Sequence, residues 1–226
     1  MLIERLQNFL SDGWIAHHRG KILLASLISL VIISPALDVD QRGITFAILS
    51  SIVFVAGQLS LCVHPRVVLI GLILGSPYIA AVWVWNFTGH YQGVHETQLL
   101  SGAAFYGYIA VVLLRVMFRE RHVTGDNLFG AAAAYMLVAA AWGFLYALVE
   151  YSLGAEAFAA NQSVQDPDLF YFSIVTLTTL GYGDITPVAP IARALAAIEA
   201  MVGVMFIAVI VSRLVGMHTA RLQIDE

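Results

Sequence analysis

One stretch of this sequence concentrates residues whose types and spacing could do chemistry. It reads Thr176-Leu177-Thr178-Thr179-Leu180-Gly181-Tyr182-Gly183-Asp184 and continues Ile185-Thr186-Pro187. Two glycines flank a single residue just after a short apolar run. Glycine takes backbone conformations that a residue with a Cβ resists. A strand alternating between ordinary and mirror-image dihedrals can aim successive carbonyl oxygens to one side. Such a row is a ladder of hard oxygen ligands. Four copies around an axis would replace the hydration shell of a monovalent cation. The Thr179 hydroxyl adds a ligand at the inner end. The helix expected before it, residues 169–178, would turn its C-terminal end toward the axis, and the partial negative charge there favours a cation in the cavity below. Tyr182 is expected to point away from the axis as a strut behind the strand. Asp184 follows at the outer mouth.

The elements that position this stretch must lie in a membrane. The chain has 226 residues, 60% hydrophobic and only 12% charged, against about 25% charged in an ordinary soluble domain. That excludes a soluble globular protein and a disordered tail. With 11 basic and 15 acidic residues there is no basic surface for a phosphate backbone, so nucleic acid is not an expected partner. Membrane lipid is. Apolar runs predict six spans at about residues 22–37, 44–62, 67–87, 98–118, 129–151 and 191–217, each near the ~20 residues a crossing needs. Between the last two lies the segment 152–190, whose apolar part, 169–180, is too short to cross. It reads as a re-entrant element, tolerated at membrane depth only where protein or a water-filled cavity surrounds it. Six spans put both termini on one side. That side would hold Arg5, Arg19, Lys21, Arg66, Arg115, Arg119, Arg121, Arg213 and Arg221, nine of the eleven basic residues, so the termini are expected in the cytoplasm. Segment 152–190 then faces outward with Glu156, Asp166, Asp168 and Asp184 and no Lys or Arg, a field that favours cations.

The motif Thr179-Leu180-Gly181-Tyr182-Gly183-Asp184 between two spans resembles the filter of the potassium channel family, with Leu180 where the family most often has valine. The resemblance covers roughly residues 129–217. It implies an all-α membrane protein: six transmembrane helices, a re-entrant pore helix and a selectivity filter in a tetrameric pore. It implies that potassium, the permeant ion and not a cofactor, sits against the backbone carbonyls of Thr179, Leu180, Gly181 and Tyr182, with Gly183 completing the filter. The family often ties the aspartate after the filter to an aromatic residue on the pore helix. Tyr171 stands in that place, so either a Tyr171–Asp184 hydrogen bond or a solvated Asp184 is expected. Thr178 lies beside the filter as further support. Gly203 stands where the family commonly has a hinge glycine, and close helix packing is the alternative reading. Val204, Ile207, Ala208, Val211 and Ser212 recur at helical spacing below the filter and are the candidate cavity and gate residues.

Glu199 is the odd residue. An ionisable group inside a span is costly and functional by default. It is expected behind the filter, bonded to pore-helix Thr or Ser hydroxyls or to backbone, as a proton-sensitive brace or as a satisfied buried acid. Six spans is also the layout of voltage-gated channels. A voltage sensor needs a basic residue at every third position, yet span four holds only Arg115. Strong voltage dependence is not expected.

The domains expected are a cytoplasmic interfacial helix at 1–21, a four-helix sensor-like domain at 22–121, a pore domain at 122–217 and a short cytoplasmic tail at 218–226, with no soluble ligand domain. Residues 1–20 do not read as a signal peptide, because Glu4, Arg5 and Asp12 interrupt any apolar region. The single Cys62 reads as a small buried residue. Gly71 and Gly75 in span three suit close helix contact. Trp83, Trp85, Phe87 and Tyr91 read as an outer aromatic belt. His90 and His95 read as outward loop residues, and His17 and His18 as inward ones. No nucleophile–base pair, phosphate-binding loop or dinucleotide motif is present, so no enzyme is expected. The expected protein is a homotetrameric, passive potassium channel of the cell's inner (plasma) membrane. A weakly selective cation channel, a potassium transporter subunit and a non-conducting membrane regulator are the rivals.

Overall fold

The structure, a computed structural model, describes residues 18–36, 39–61, 65–88, 92–119, 125–154 and 156–222. These form seven helices and two short strands: α1 (Arg19–Ala36), α2 (Val39–Ser60), α3 (Pro65–Thr88), α4 (Gln92–Arg119), α5 (Gly125–Ser152), β1 (Phe158–Ala160), α6 (Asp166–Leu177), β2 (Ile185–Pro187) and α7 (Pro190–Leu222). The chain is an all-α membrane protein. Five helices are long and apolar enough to cross a membrane by length and composition: Gly43–Ser60, Pro65–Phe87, Gly93–Arg119, Leu128–Ser152 and Pro190–Arg213. The apolar α1, with 18 residues, falls outside that set. At 1.5 Å per residue it is about 27 Å long, close to the thickness of a bilayer core.

α5 organises the molecule. α1, α4, α6 and α7 all pack against it, and α2 and α3 close the bundle beyond α1 and α4. The bundle core is aromatic: Phe54, Tyr78, Phe105, Tyr106 and Phe144 meet in stacked, edge and tilted contacts with centroids 5.2–6.3 Å apart. Tyr78 and Tyr106 bring their hydroxyls within 3.4 Å of each other, which keeps two phenols satisfied among apolar neighbours. Gly71 and Gly75 make the close approach their spacing suggests. A Cβ on Gly75 would sit 2.4 Å from Phe54 and 2.7 Å from Phe105, and one on Gly71 2.7 Å from Leu61. Pro77 lies within α3, as membrane helices tolerate when neighbours satisfy the freed backbone group.

Several details depart from the sequence reading. α4 starts at Gln92, so His95 and Glu96 lie on a helix and not in a loop. α7 runs to Leu222, making residues 218–222 helical. β1 and β2 pair antiparallel, with Phe158 opposite Pro187 and Ala160 opposite Ile185, a ribbon that three-residue strands gave no pattern to reveal. Residues 1–17 of the expected interfacial helix (with His17), Cys62, His90, Tyr91 and the 121/122 boundary lie outside the described residues, while Arg19, Gly20 and Lys21, expected in that helix, belong to α1.

Candidate functional site

α6 is 12 residues long, too short to cross a bilayer. Asp166 and Asp168 lie in its first turn, where carboxylates suit the positive end of the helix dipole. The Gln165 amide donates to Asp168 Oδ2 at 2.9 Å. At the other end, four consecutive amides fold back onto the helix. Thr178 N–H donates to the Ile174 carbonyl (3.1 Å), Thr179 N–H to Thr176 (2.9 Å), and the Leu180 and Gly181 N–H groups both to Val175 (2.9 and 3.4 Å). From here the backbone alternates. φ is positive at Thr179 (58°), Gly181 (59°) and Gly183 (77°), and at neither Leu180 nor Tyr182. This alternation is the backbone condition for a one-sided row of carbonyls. Thr179 alone, among the described non-glycine residues, has positive φ. For a β-branched side chain that is an outlier, with strain of about 1–3 kcal/mol held by its surroundings.

The supports lie behind and above this strand. The Tyr171 hydroxyl donates to Asp184 Oδ2 at 2.8 Å, so of the two readings for Asp184 the hydrogen-bonded one is present. That bond, accepted by a carboxylate, raises the Tyr171 phenol above its ordinary value. Thr178 Oγ1 donates back to the Ile174 carbonyl at 2.7 Å, which joins it to α6 and not to the strand. Sequence reasoning missed Tyr135, whose hydroxyl donates to the Leu177 carbonyl at 2.9 Å. It also missed Glu150, a buried acid near the C-terminal end of α5. Glu150 Oε2 accepts the Ala157 and Phe158 amides at 2.8 and 3.1 Å. The Ala157 carbonyl in turn accepts the Val188 and Ala189 amides. The ribbon therefore anchors the exit of the strand to the top of α5, over a triangle of rings from Tyr146, Phe158 and Phe172 with centroids 5.1–5.5 Å apart.

Glu199 is fully buried. Its Oε2 accepts the Tyr146 hydroxyl at 2.6 Å, and its Oε1 lies 2.5 Å from Ser173 Oγ of α6. Ser173 Oγ is also 2.8 Å from the Ala139 carbonyl of α5. The pore-helix serine was among the expected partners. Tyr146 was not, although any tyrosine hydroxyl inside a span must find a partner. Four residues along α7, Gly203 is buried against the end of α6, where a Cβ would fall 1.9 Å from the Leu177 carbonyl oxygen. The close packing expected as one reading of this glycine is present. Glu199, Gly203 and Ile210 form the covered stripe of α7, with Phe206 against Tyr135 at 5.0 Å. Val204, Ile207, Ala208, Val211 and Ser212 are all exposed in the single chain.

Two contacts tie the bundle to this region. His95 on α4 is tucked between the rings of Trp85 and Tyr151, with Nε2 3.5 Å from Asp166 Oδ2. Burial raises the Asp166 carboxyl above its usual value, and His95 opposes that shift. At the other end, Arg213 of α7 donates to the Met117 carbonyl at 2.6 Å and lies over the Phe118 ring at 5.1 Å. Trp83 stacks on Phe87 and donates to Ser51. Among the described residues no group of His, Cys, Asp and Glu could hold a metal ion.

The fold and site define a multi-pass membrane protein in which two long helices flank a short re-entrant helix and an alternating strand. A family model described as Ion channel matches residues 129–219, the span of α5 to α7. The chain is 32% identical over 128 residues to Protein LctB of Bacillus caldotenax, covering 50% of this chain and 93% of that one. The chain belongs to the family of Protein LctB, and its residues 129–219 match the ion channel family. It is also 35% identical over 78 residues to Two-pore potassium channel 4 of Arabidopsis thaliana, covering 34% of this chain and 27% of that one. It is 42% identical over 45 residues to the inward rectifier potassium channel Kirbac3.1 of Paramagnetospirillum magnetotacticum, covering 20% of this chain. It spans only 27% and 15% of the length of those two proteins. No solved structure matches the chain.

Proposed function

We propose that four copies of this chain form a passive, potassium-selective pore that is not strongly voltage-gated. The observation that carries this reading is the alternation of φ through Thr179-Leu180-Gly181-Tyr182-Gly183 at the end of a re-entrant helix. In a four-fold assembly the carbonyls of Thr179, Leu180, Gly181 and Tyr182, with the Thr179 hydroxyl, replace the water shell of potassium. Asp184, Tyr171 and Thr178 steady the strand. Val204, Ile207, Ala208, Val211 and Ser212 line the cavity and gate. Two relatives named as potassium channels support the choice of ion. In this reading α1 is the sixth span, both termini are cytoplasmic and the membrane is the cell's inner membrane.

The test is ion flux with purified protein in liposomes. Potassium flux is expected, with a reversal potential in mixed potassium and sodium close to that of potassium. A reversal potential near zero in equal but opposite gradients would instead mean a weakly selective cation pore, in which Leu180 loosens the filter. No flux of either ion would refute the channel reading.

A further inference from the structure

Three oxygen–oxygen contacts meet around Glu199 and Ser173: Tyr146 Oη to Glu199 Oε2 at 2.6 Å, Glu199 Oε1 to Ser173 Oγ at 2.5 Å, and Ser173 Oγ to the Ala139 carbonyl oxygen at 2.8 Å. At such lengths each pair needs a proton between its oxygens, since hydrogen bonds between oxygens run about 2.5–3.0 Å. Tyr146 and Ser173 bring one hydroxyl proton each, and a carbonyl brings none. Two protons do not fill three contacts. An ionised Glu199 could only accept, and the Ser173 hydroxyl would then have to abandon either Ala139 or Glu199. All of this lies in a buried site, where a polar group left without a partner is costly.

We infer that Glu199 carries a proton and donates it to Ser173, making it a positioning residue for the filter. The chain of donation is directed. Tyr146 of α5 gives to Glu199 of α7, Glu199 gives to Ser173 of α6, and Ser173 gives to Ala139 back on α5. One loop of hydrogen bonds thereby locks the three helices of the pore region together, and Ser173 lies six residues before Thr179 on the element that presents the filter. This rests on the channel reading above and deepens it. The titratable groups facing Glu199 among the described residues are Tyr146 and Tyr135, both on α5. α6 presents Ser173, which does not titrate. Losing the proton would leave a bare carboxylate and one broken link behind the filter.

Infrared difference spectra of the wild type and Glu199→Gln in lipid test the protonation. A carbonyl stretch of a protonated carboxylic acid, present at neutral pH and missing from Glu199→Gln, is expected, and it should shift in Ser173→Ala. No such band in the wild type, or a band indifferent to Ser173→Ala, overturns the inference. Potassium flux tests the role. Glutamine imitates the protonated acid, with an amide N–H for Ser173 and a carbonyl for Tyr146. Glu199→Gln should therefore keep its flux flat into the alkaline range where the wild type declines. Glu199→Ala, which unpairs a buried hydroxyl, should lose roughly tenfold or more. The same alkaline decline in Glu199→Gln as in the wild type overturns the role. The band does not depend on conduction. A band without flux defeats the channel reading alone, and flux without a band defeats this inference alone.

Discussion

At Thr179 a β-branched residue sits at a φ of 58° with its amide bonded back to Thr176. Its neighbours Gly181 and Gly183 reach the same region without strain. A Cβ on Gly181 would meet nothing within 4 Å in the chain, so Gly181→Ala costs conformation and not space, about 1–2 kcal/mol at that residue. The expected outcome is a protein that folds and assembles like the wild type by size-exclusion chromatography yet conducts little potassium in liposomes. The glycines were legible in the sequence because only a special backbone asks for that residue at that spacing. The partners of the buried acids were not. Glu199 announced itself as an anomaly inside an apolar span. Tyr146, Ser173 and Tyr135 are ordinary in such spans, and only their convergence in space gives them roles. Glu150 sits at the end of a helix, where an acid is unremarked until its two amide donors come into view.

At the scale of elements, the long apolar runs are the part sequence describes best, since a membrane demands length and composition more than pattern. α2, α3 and α5 lie close to where the apolar runs put them. The early start of α4 and the ribbon of β1 with β2 were hidden, because polar residues at a membrane edge are compatible with helix or loop. The contact of α7 with α6 leaves no room for a side chain at Gly203. Gly203 touches backbone, which cannot rotate aside. Gly203→Ala is therefore expected to destabilise the folded chain by about 1–3 kcal/mol, as overpacking does, and to lower the thermal midpoint of the purified protein. A Gly203→Ala protein with unchanged thermal stability would count against close packing as the constraint on this residue.

For the whole molecule, the question is what a bundle of four helices does beside a pore. Its centre is filled by Phe54, Tyr78, Phe105 and Tyr106, and Arg115 on α4 is exposed near that helix's end. A charge moving across the full membrane is worth about 2.3 kcal/mol per 100 mV, and among the described residues this bundle has no row of such charges to move. The conductance–voltage relation of the reconstituted protein is expected to be shallow. A steep curve, equivalent to several gating charges per subunit, would count against that reading. Pairing of His95 with Asp166 at one end and of Arg213 with Met117 at the other gives the bundle two handles on the pore region.

The open faces of α7 carry a consequence for how such a molecule is made. Met201, Val204, Met205, Ile207, Val209 and Val211 lie bare in the single chain, yet they are as oily as the lipid around them. In the proposed four-fold assembly, a newly synthesised copy would meet the bilayer with lipid tails against these α7 residues. Pore formation would then be an exchange of lipid for sister chains, governed by how many copies share the membrane.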